Sequence, residues 1–293
     1  MAAEQTPLRR FWSEFAESRL ALLGLAVLVV VMVIAVAAPL LAPQNPYDLS
    51  QLDIMDGKLA PGEQSAAGKT HLLGTDDQGR DMLSGIFYGL RISLGVGVVS
   101  TVFALGIGLT LGMAAAYFGG WVDTLIMRIV DIQLSFPAIL IALILLAMFG
   151  QGVDKVVIAL VTVQWAYYAR TVRASALVER QKEYVEAATV LALSKPRIVF
   201  RHMLPNCLPP LIVVATVQVA HAISLEATLS FLGLGMPVTE PSLGLLISNG
   251  FTYLMSGKYW ISFYPGVALL VTIMAINLVA DQLRDVLNPR LKK

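Results

Sequence analysis

The sequence contains a single cysteine, Cys207, among its 293 residues, so it cannot form an internal disulfide or a cysteine-based metal cluster. Its three histidines lie far apart, and no metal site is expected. Charged residues make up 14%, against about 25% in a typical soluble domain. The net charge of +1 gives no basic footprint for a nucleic-acid partner. What is abundant is apolar: 57% of residues are hydrophobic, which indicates a polytopic membrane protein.

Six apolar segments are long enough to cross about 30 Å of hydrocarbon as helices, so we predict an all-α protein with six transmembrane spans. The predicted spans are residues 20–41, 88–116, 126–149, 156–174, 208–232 and 261–283. Arg128 and Asp131 lie three residues apart at the cytoplasmic end of the third span and are expected to form an ion pair. Pro137 should kink that span. Gly106, Gly108 and Gly112 include a GxxxG spacing that lets helices approach closely.

The polar segments complete the expected topology. Residues 1–19 read as an amphipathic helix lying on membrane lipid, or alternatively as a disordered tail. Residues 42–87 are predicted as a long outer, periplasmic loop, residues 88–283 as the core unit with a second outer loop at residues 233–260, and residues 284–293 as a tail. Most of the 21 Lys and Arg fall on the inner side if both termini are cytoplasmic, as the positive-inside rule requires.

The loop at residues 176–205 separates the fourth and fifth predicted spans and carries the clearest functional signal. Val185, Ala188, Leu191 and Ala192 share one face of a predicted helix over 183–193. Ser194 followed by Pro196 then indicates the start of a second helix. A short helix, a sharp turn and a second helix outside the membrane form a lever that a partner protein could hold.

Glu186, Ala187 and Ala188, followed in register by Leu204 and Pro205, resemble the EAA loop of permease subunits in binding-protein-dependent ABC importers. In that family the loop is a coupling helix that docks on the ATPase subunit. The resemblance implies the following coupling residues: Glu183, Glu186, Ala187, Ala188, Leu191, Ala192, Ser194 and Lys195. Two positions depart from the family pattern, since Ala192 replaces a glycine and His202 replaces a hydrophobic residue. If the glycine permits a left-handed turn, Ala192 costs about 1 kcal/mol there.

Residues 71–81 read HLLGTDDQGRD and resemble the signature of the C-type permease subunit in dipeptide, oligopeptide and nickel importers. The matching residues are His71, Gly74, Thr75, Asp76, Gly79, Arg80 and Asp81. The glycines permit tight turns, and the aspartates can cap backbone N–H groups or pair with Arg80 or Arg91. We favour a self-satisfied structural loop over contact with the solute-binding protein or substrate, and both over a cation site.

His221 and Glu226 lie inside the fifth predicted span. An ionisable group at membrane depth is costly unless it is paired or in contact with water, so it marks a candidate functional position. Two explanations stay open for this pair: structural pairing within the bundle, or lining of a passage.

The resemblance implies an ABC importer permease fold and a peptide permease in the bacterial inner membrane. Its partners would be a homologous second permease, two ATP-binding subunits and a periplasmic or lipid-anchored solute-binding protein. ATP and Mg²⁺ are expected on the ATP-binding subunits, and this chain is expected to bind no cofactor and to carry no catalytic residues. The segment 62–70 imitates a phosphate-binding loop but has five residues, not four, before Gly-Lys-Thr. The alternatives are import of nickel or another small solute, a stand-alone secondary transporter, and a membrane enzyme.

Overall fold

A computed structural model describes residues 6–48 and 52–287, and helices dominate both ranges. A π-helical turn spans Ile198–Met203, and short 3₁₀ turns occur at Ile54–Asp56 and Leu254–Ser256. The α-helices are α1 (Pro7–Ala16), α2 (Arg19–Leu41), α3 (Met82–Phe118), α4 (Gly120–Leu134), α5 (Ala138–Phe149), α6 (Val153–Arg180), α7 (Glu183–Val190), α8 (Lys195–Arg197), α9 (Leu204–Phe231), α10 (Leu243–Phe251) and α11 (Trp260–Leu287). The all-α prediction is therefore confirmed for the described residues.

Four helical segments are long and apolar enough to cross a membrane: α2, α3, the continuous stretch Lys195–Phe231, and α11. A fifth is added if α4 and α5 form one broken span. The predicted fourth span lies within α6, a 28-residue helix that also carries Gln164, Arg170 and Arg173. The chain is thus a multi-pass membrane protein, and the count of six spans stays a prediction.

The third predicted span is not one kinked helix. Helix α4 ends at Leu134 and α5 begins at Ala138, and the two axes differ by 88°. Pro137 stands between them in an extended conformation, with φ −57° and ψ 127°. Proline has no N–H to donate to the preceding turn and its ring crowds that turn, which favours the end of α4 here. Pro137 thus stands at a break between two helices, whereas a kink within one helix was predicted.

Helices α3 and α6 form the most extensive helix pair in the core. A methyl group built on Gly108 would lie 2.4 Å from Cβ of Tyr168, and one on Gly112 would lie 2.4 Å from the carbonyl oxygen of Ala169. Both glycines therefore let the two backbones touch, as the GxxxG spacing predicts. Gly106 has open space beside it and takes no part in this contact.

Two predicted boundaries differ from the structure. Helix α3 begins at Met82, inside the loop predicted for residues 42–87, because Asp81 caps it by accepting a hydrogen bond from the N–H of Ser84. Helix α10 lies inside the predicted outer loop at residues 233–260. It is capped by Ser242 and packs against α9 and α11. Its Gly244 approaches the backbone of Ala227 so closely that a side chain would not fit.

Candidate functional site

Within the predicted coupling loop, the short helix α7 is held against the C-terminal ends of α3 and α6 and the N-terminal end of α9. Val185 and Ala188 are buried on one face of α7, where they join Ile198 and Met203 in a hydrophobic cluster. Glu183, Glu186 and Ala187 lie on the opposite, exposed face. The alternation follows the helical period, so α7 buries one face against the bundle and exposes the other.

Helix α7 ends in a left-handed turn centred on Ala192. This residue has φ +54°, a conformation that non-glycine residues rarely adopt. The N–H of Leu193 donates to the carbonyl of Ala188 at 3.1 Å, and the N–H of Ala192 donates to Thr189 at 3.0 Å. These two bonds form a Schellman motif, in which the left-handed position is usually glycine. The condition set for the family's glycine position, a left-handed turn, is therefore met at Ala192.

The turn also corrects one prediction from the sequence. Leu191 and Ala192 were expected on the apolar face with Val185 and Ala188, but Leu191 is 73% exposed and Ala192 is exposed too. The helical period stops at Val190, and the left-handed turn then directs Leu193 back to the buried cluster. Val190 and Leu191 are left as an apolar pair at the tip, and Val190 is 85% exposed.

The second limb starts at Ser194 and runs through Lys195 and Pro196 into the π-helical turn and α9. Ser194 and Lys195 are exposed, and neither side chain caps the helix. The π-helical turn precedes Pro205, whose ring clashes with a regular turn and whose nitrogen cannot donate. His202 stands half-buried here, and its Nε2 has no hydrogen-bond partner.

Polar side chains fix this lever to the bundle. The hydroxyl of Tyr184 on α7 donates to Glu179 of α6 at 2.5 Å and accepts from the amide of Asn206 on α9 at 2.9 Å. Burial, together with the hydrogen bond to Glu179, raises the pKa of Tyr184 to about 12. Arg180 donates to the carbonyl oxygen of Ala116 at 2.9 Å, near the end of α3. Movement of α7 is thereby linked to three long helices.

Ion pairs on the same side join α4 to α6. Asp131 was expected to pair with Arg128, three residues away. It instead contacts Arg170 at 2.5 Å. Arg173 binds Asp123 through both oxygens, with 2.6 Å between Nη2 and Oδ2. Local spacing pointed to the wrong arginine because α4 and α6 pack side by side.

The loop at residues 71–81 is compact, and many of its polar groups bond one another. Oδ1 of Asp77 and Nη2 of Arg80 are exceptions, since they are buried without a hydrogen-bond partner among the described residues. Nδ1 of buried His71 lies 2.9 Å from Oδ1 of buried Asp81, whose other oxygen accepts from Ser84. Arg80 donates to Asp76 at 2.7 Å, and both side chains are buried. These contacts are those expected of a structural loop.

Backbone geometry explains the two signature glycines and the threonine. Gly74 has φ +78° and Gly79 has φ +77°. A side chain on Gly79 would lie 2.1 Å from the carbonyl oxygen of Asp53. Thr75 donates to the carbonyl of Asp56 at 2.6 Å and accepts from the N–H of Leu59. The signature loop thus binds the earlier part of the outer segment to the start of α3.

Glu226 and His221 do not come together. Glu226 is fully buried, and its two oxygens accept hydrogen bonds from Ser93 of α3 and Ser230 of α9, each at 2.8 Å. Buried Ser242, which caps α10, also contacts it. Glu226 is therefore paired inside the subunit, while His221 is exposed on another face of α9. Nothing in the local sequence pointed to Ser93 and Ser242, which the tertiary fold supplies.

The family model described as "Binding-protein-dependent transport system inner membrane component" matches residues 108–293, well over half of the chain. A second model, "N-terminal TM domain of oligopeptide transport permease C", matches residues 6–61.

Curated relatives match over nearly the full length. The chain is 43% identical to the dipeptide transport system permease protein DppC of Escherichia coli strain K12, covering 98% of this chain and 95% of the relative. It is 36% identical to the Haemophilus influenzae protein of the same name, covering 99% and 97%. It is 42% identical to a putative peptide transport system permease protein of Brucella suis, covering 92% and 88%.

Among solved structures, the fold is similar to a chain of the MetNI methionine ABC transporter in an inward facing conformation. The TM-score is 0.57 at 22% identity, and the match covers 71% of this chain and 98% of that chain. This likeness concerns the fold alone.

Proposed function

This chain belongs to the family of binding-protein-dependent transport system inner membrane components, and on that premise we propose that it is the permease subunit of an ATP-driven peptide importer. The peptide assignment is supported by the relatives named for dipeptide and peptide transport. We place it in the bacterial inner membrane with six spans and both termini in the cytoplasm, which agrees with the distribution of its Lys and Arg.

The single observation that carries the proposal is the lever at residues 183–205. Its exposed face combines acidic Glu183 and Glu186 with the apolar tip Val190–Leu191, while its buried face is tied to α3, α6 and α9. Exposed apolar residues beside charged ones are typical of an interface with another protein. The partner in this proposal is one of two ATP-binding subunits.

The mechanism follows from that connection. ATP and Mg²⁺ bind to the partner subunits, and closure of those subunits moves α7. Since α7 is linked to α6 and α9 through Tyr184, and α6 is linked to α3 through Arg180, the displacement of α7 is passed to three long helices. Together with a homologous second permease, these helices alternate access for peptides delivered by a solute-binding protein. This chain supplies mechanical coupling and no bond-making chemistry.

A cross-linking experiment on the assembled complex tests the docking role. Val190→Cys places a thiol on the exposed tip, while the native Cys207 is buried and stays unreactive. We expect a short thiol-reactive cross-linker to join Val190→Cys to an ATP-binding subunit. Met255→Cys, at a 99% exposed position on the predicted outer side, is the matched control and should give no such product. A link from position 255, or none from position 190 in an intact complex, would contradict the proposal.

A further inference from the structure

A cavity of about 410 Å³ lies between α3 and the start of α6, on the predicted outer side of the protein. Its polar groups are Tyr47, Tyr88 and Arg91, and the rest of its wall is aliphatic or glycine. A mainly apolar cleft of a few hundred Å³ with a small number of convergent polar groups is typical of a small-molecule site.

Of the residues that the structure describes, Arg91 is the one charged residue that lines this cavity, and its side chain is exposed. Within residues 6–48 and 52–287 it forms no ion pair. It stands at the start of a largely apolar, uncharged stretch of α3 that runs from Ile92 to Phe118. Placing a guanidinium at the edge of the hydrocarbon layer costs free energy unless it faces water or an anion. We therefore infer that this face of α3 is in contact with water.

A carboxylate lies beside the same cavity. The hydroxyl of Tyr47 donates to Oε2 of Glu240 at 2.8 Å, and its ring meets Tyr88 edge-on at 5.4 Å. Burial and the bond to Glu240 raise the pKa of Tyr47, whereas the charge of Arg91 acts in the opposite direction. The charge of Arg91, which lines the cavity, and the charge of Glu240, which accepts the hydrogen bond of Tyr47, therefore act on the same phenol.

We propose that this cavity is a peptide subsite in the outer half of the passage, in which Arg91 binds the terminal carboxylate of the peptide. A guanidinium matches a carboxylate with two parallel hydrogen bonds. Tyr47, whose hydroxyl is held by Glu240, supplies a further polar group of the cavity wall. The aliphatic wall accommodates side chains without selecting among them. Because Arg91 is exposed to water, the site binds the peptide weakly. Weak binding lets the peptide leave the site again, as transport requires.

This inference rests on the proposed function, and the test separates the two. The complete complex, reconstituted in liposomes with its solute-binding protein, is assayed for uptake of a labelled dipeptide. Arg91→Gln should lower the uptake rate at subsaturating dipeptide by about tenfold, the loss expected for one charge-assisted contact. Arg91→Lys keeps the charge and should recover part of that rate. Lys155→Gln removes a cation that pairs with Asp154 and does not line the cavity, so it should change uptake little.

Protection of an engineered thiol by the peptide distinguishes binding in the cavity from a merely structural role of Arg91. Gly95 lines the cavity and has open space beside it, so Gly95→Cys fits without displacing a neighbour. Saturating dipeptide should slow its reaction with a membrane-impermeant reagent several-fold, and this protection should vanish when Arg91→Gln is added.

Several outcomes would overturn the subsite: unchanged uptake by Arg91→Gln, equal loss in Lys155→Gln, or no protection of Gly95→Cys. If the unmodified complex itself fails to take up dipeptide, the proposed function fails instead.

Discussion

Replacing Ala192 by glycine should stabilise the turn that ends α7. Ala192 has φ +54°, and the left-handed region costs an L-residue about 1–2 kcal/mol relative to glycine. Glycine also makes the unfolded chain more flexible, which offsets about 0.4–1 kcal/mol of this stabilisation. The net expectation is a gain of about 0.5–1 kcal/mol, confined to the turn because Ala192 is exposed and its side chain supports no packing.

Hydrogen exchange on the purified complex measures this directly. The amides of Ala192 and Leu193 donate the two bonds of the turn, so their protection should rise by about two- to fivefold in Ala192→Gly. The matched control is Ala187→Gly, at an exposed position in the regular part of α7, which should lose about 1 kcal/mol because glycine weakens a helix interior. If Ala192→Gly lowers protection as Ala187→Gly does, the left-handed conformation of Ala192 is refuted.

Two further substitutions test the core and the outer loop. Gly108→Ala should destabilise the protein by about 1–3 kcal/mol, because the added methyl group meets Tyr168 and the α6 backbone. Gly106→Ala is the control, since Gly106 has open space beside it and the substitution should cost nothing. The melting temperatures of the two variants in detergent are compared with that of the unmodified protein. Asp77 has a raised pKa because of its burial and then the neighbouring charge of Asp76. The stability linked to a raised pKa is present below the ordinary value and lost as pH rises, so Asp77→Asn should raise the melting temperature at pH 7 and leave it unchanged near pH 3. A stabilisation that is equal at both pH values would contradict this reasoning.

The sequence was sufficient where the cause of a feature is local. Apolar length predicted where the long helices lie, and the Gly108–Gly112 spacing predicted close approach of a neighbouring helix. Pro137 marked the place of the bend before α5, although a kink was predicted and the structure has a break. Each of these features depends on a few neighbouring residues and on the properties of one helix.

Features set by tertiary packing could not be predicted in this way. Asp131 had a partner at helical spacing, Arg128, yet it pairs with Arg170 on another helix. The burial of Glu226 depends on Ser93, which is distant in sequence, and on the cap of α10, a helix that resembled loop because of its flanking prolines. Leu191 fits the apolar period of α7, but the turn that follows leaves it exposed.

The most direct test of the central claim is coupling in a complex that carries Glu186→Lys, a charge reversal on the exposed face of α7. The quantity to measure is the number of peptides taken up per ATP hydrolysed, together with the amount of ATP-binding subunit that co-purifies. We expect this ratio to collapse, or the ATP-binding subunits to be lost, while Glu17→Lys, an exposed charge reversal outside the lever, keeps both. Full uptake by Glu186→Lys at normal ATP-subunit binding would contradict the account.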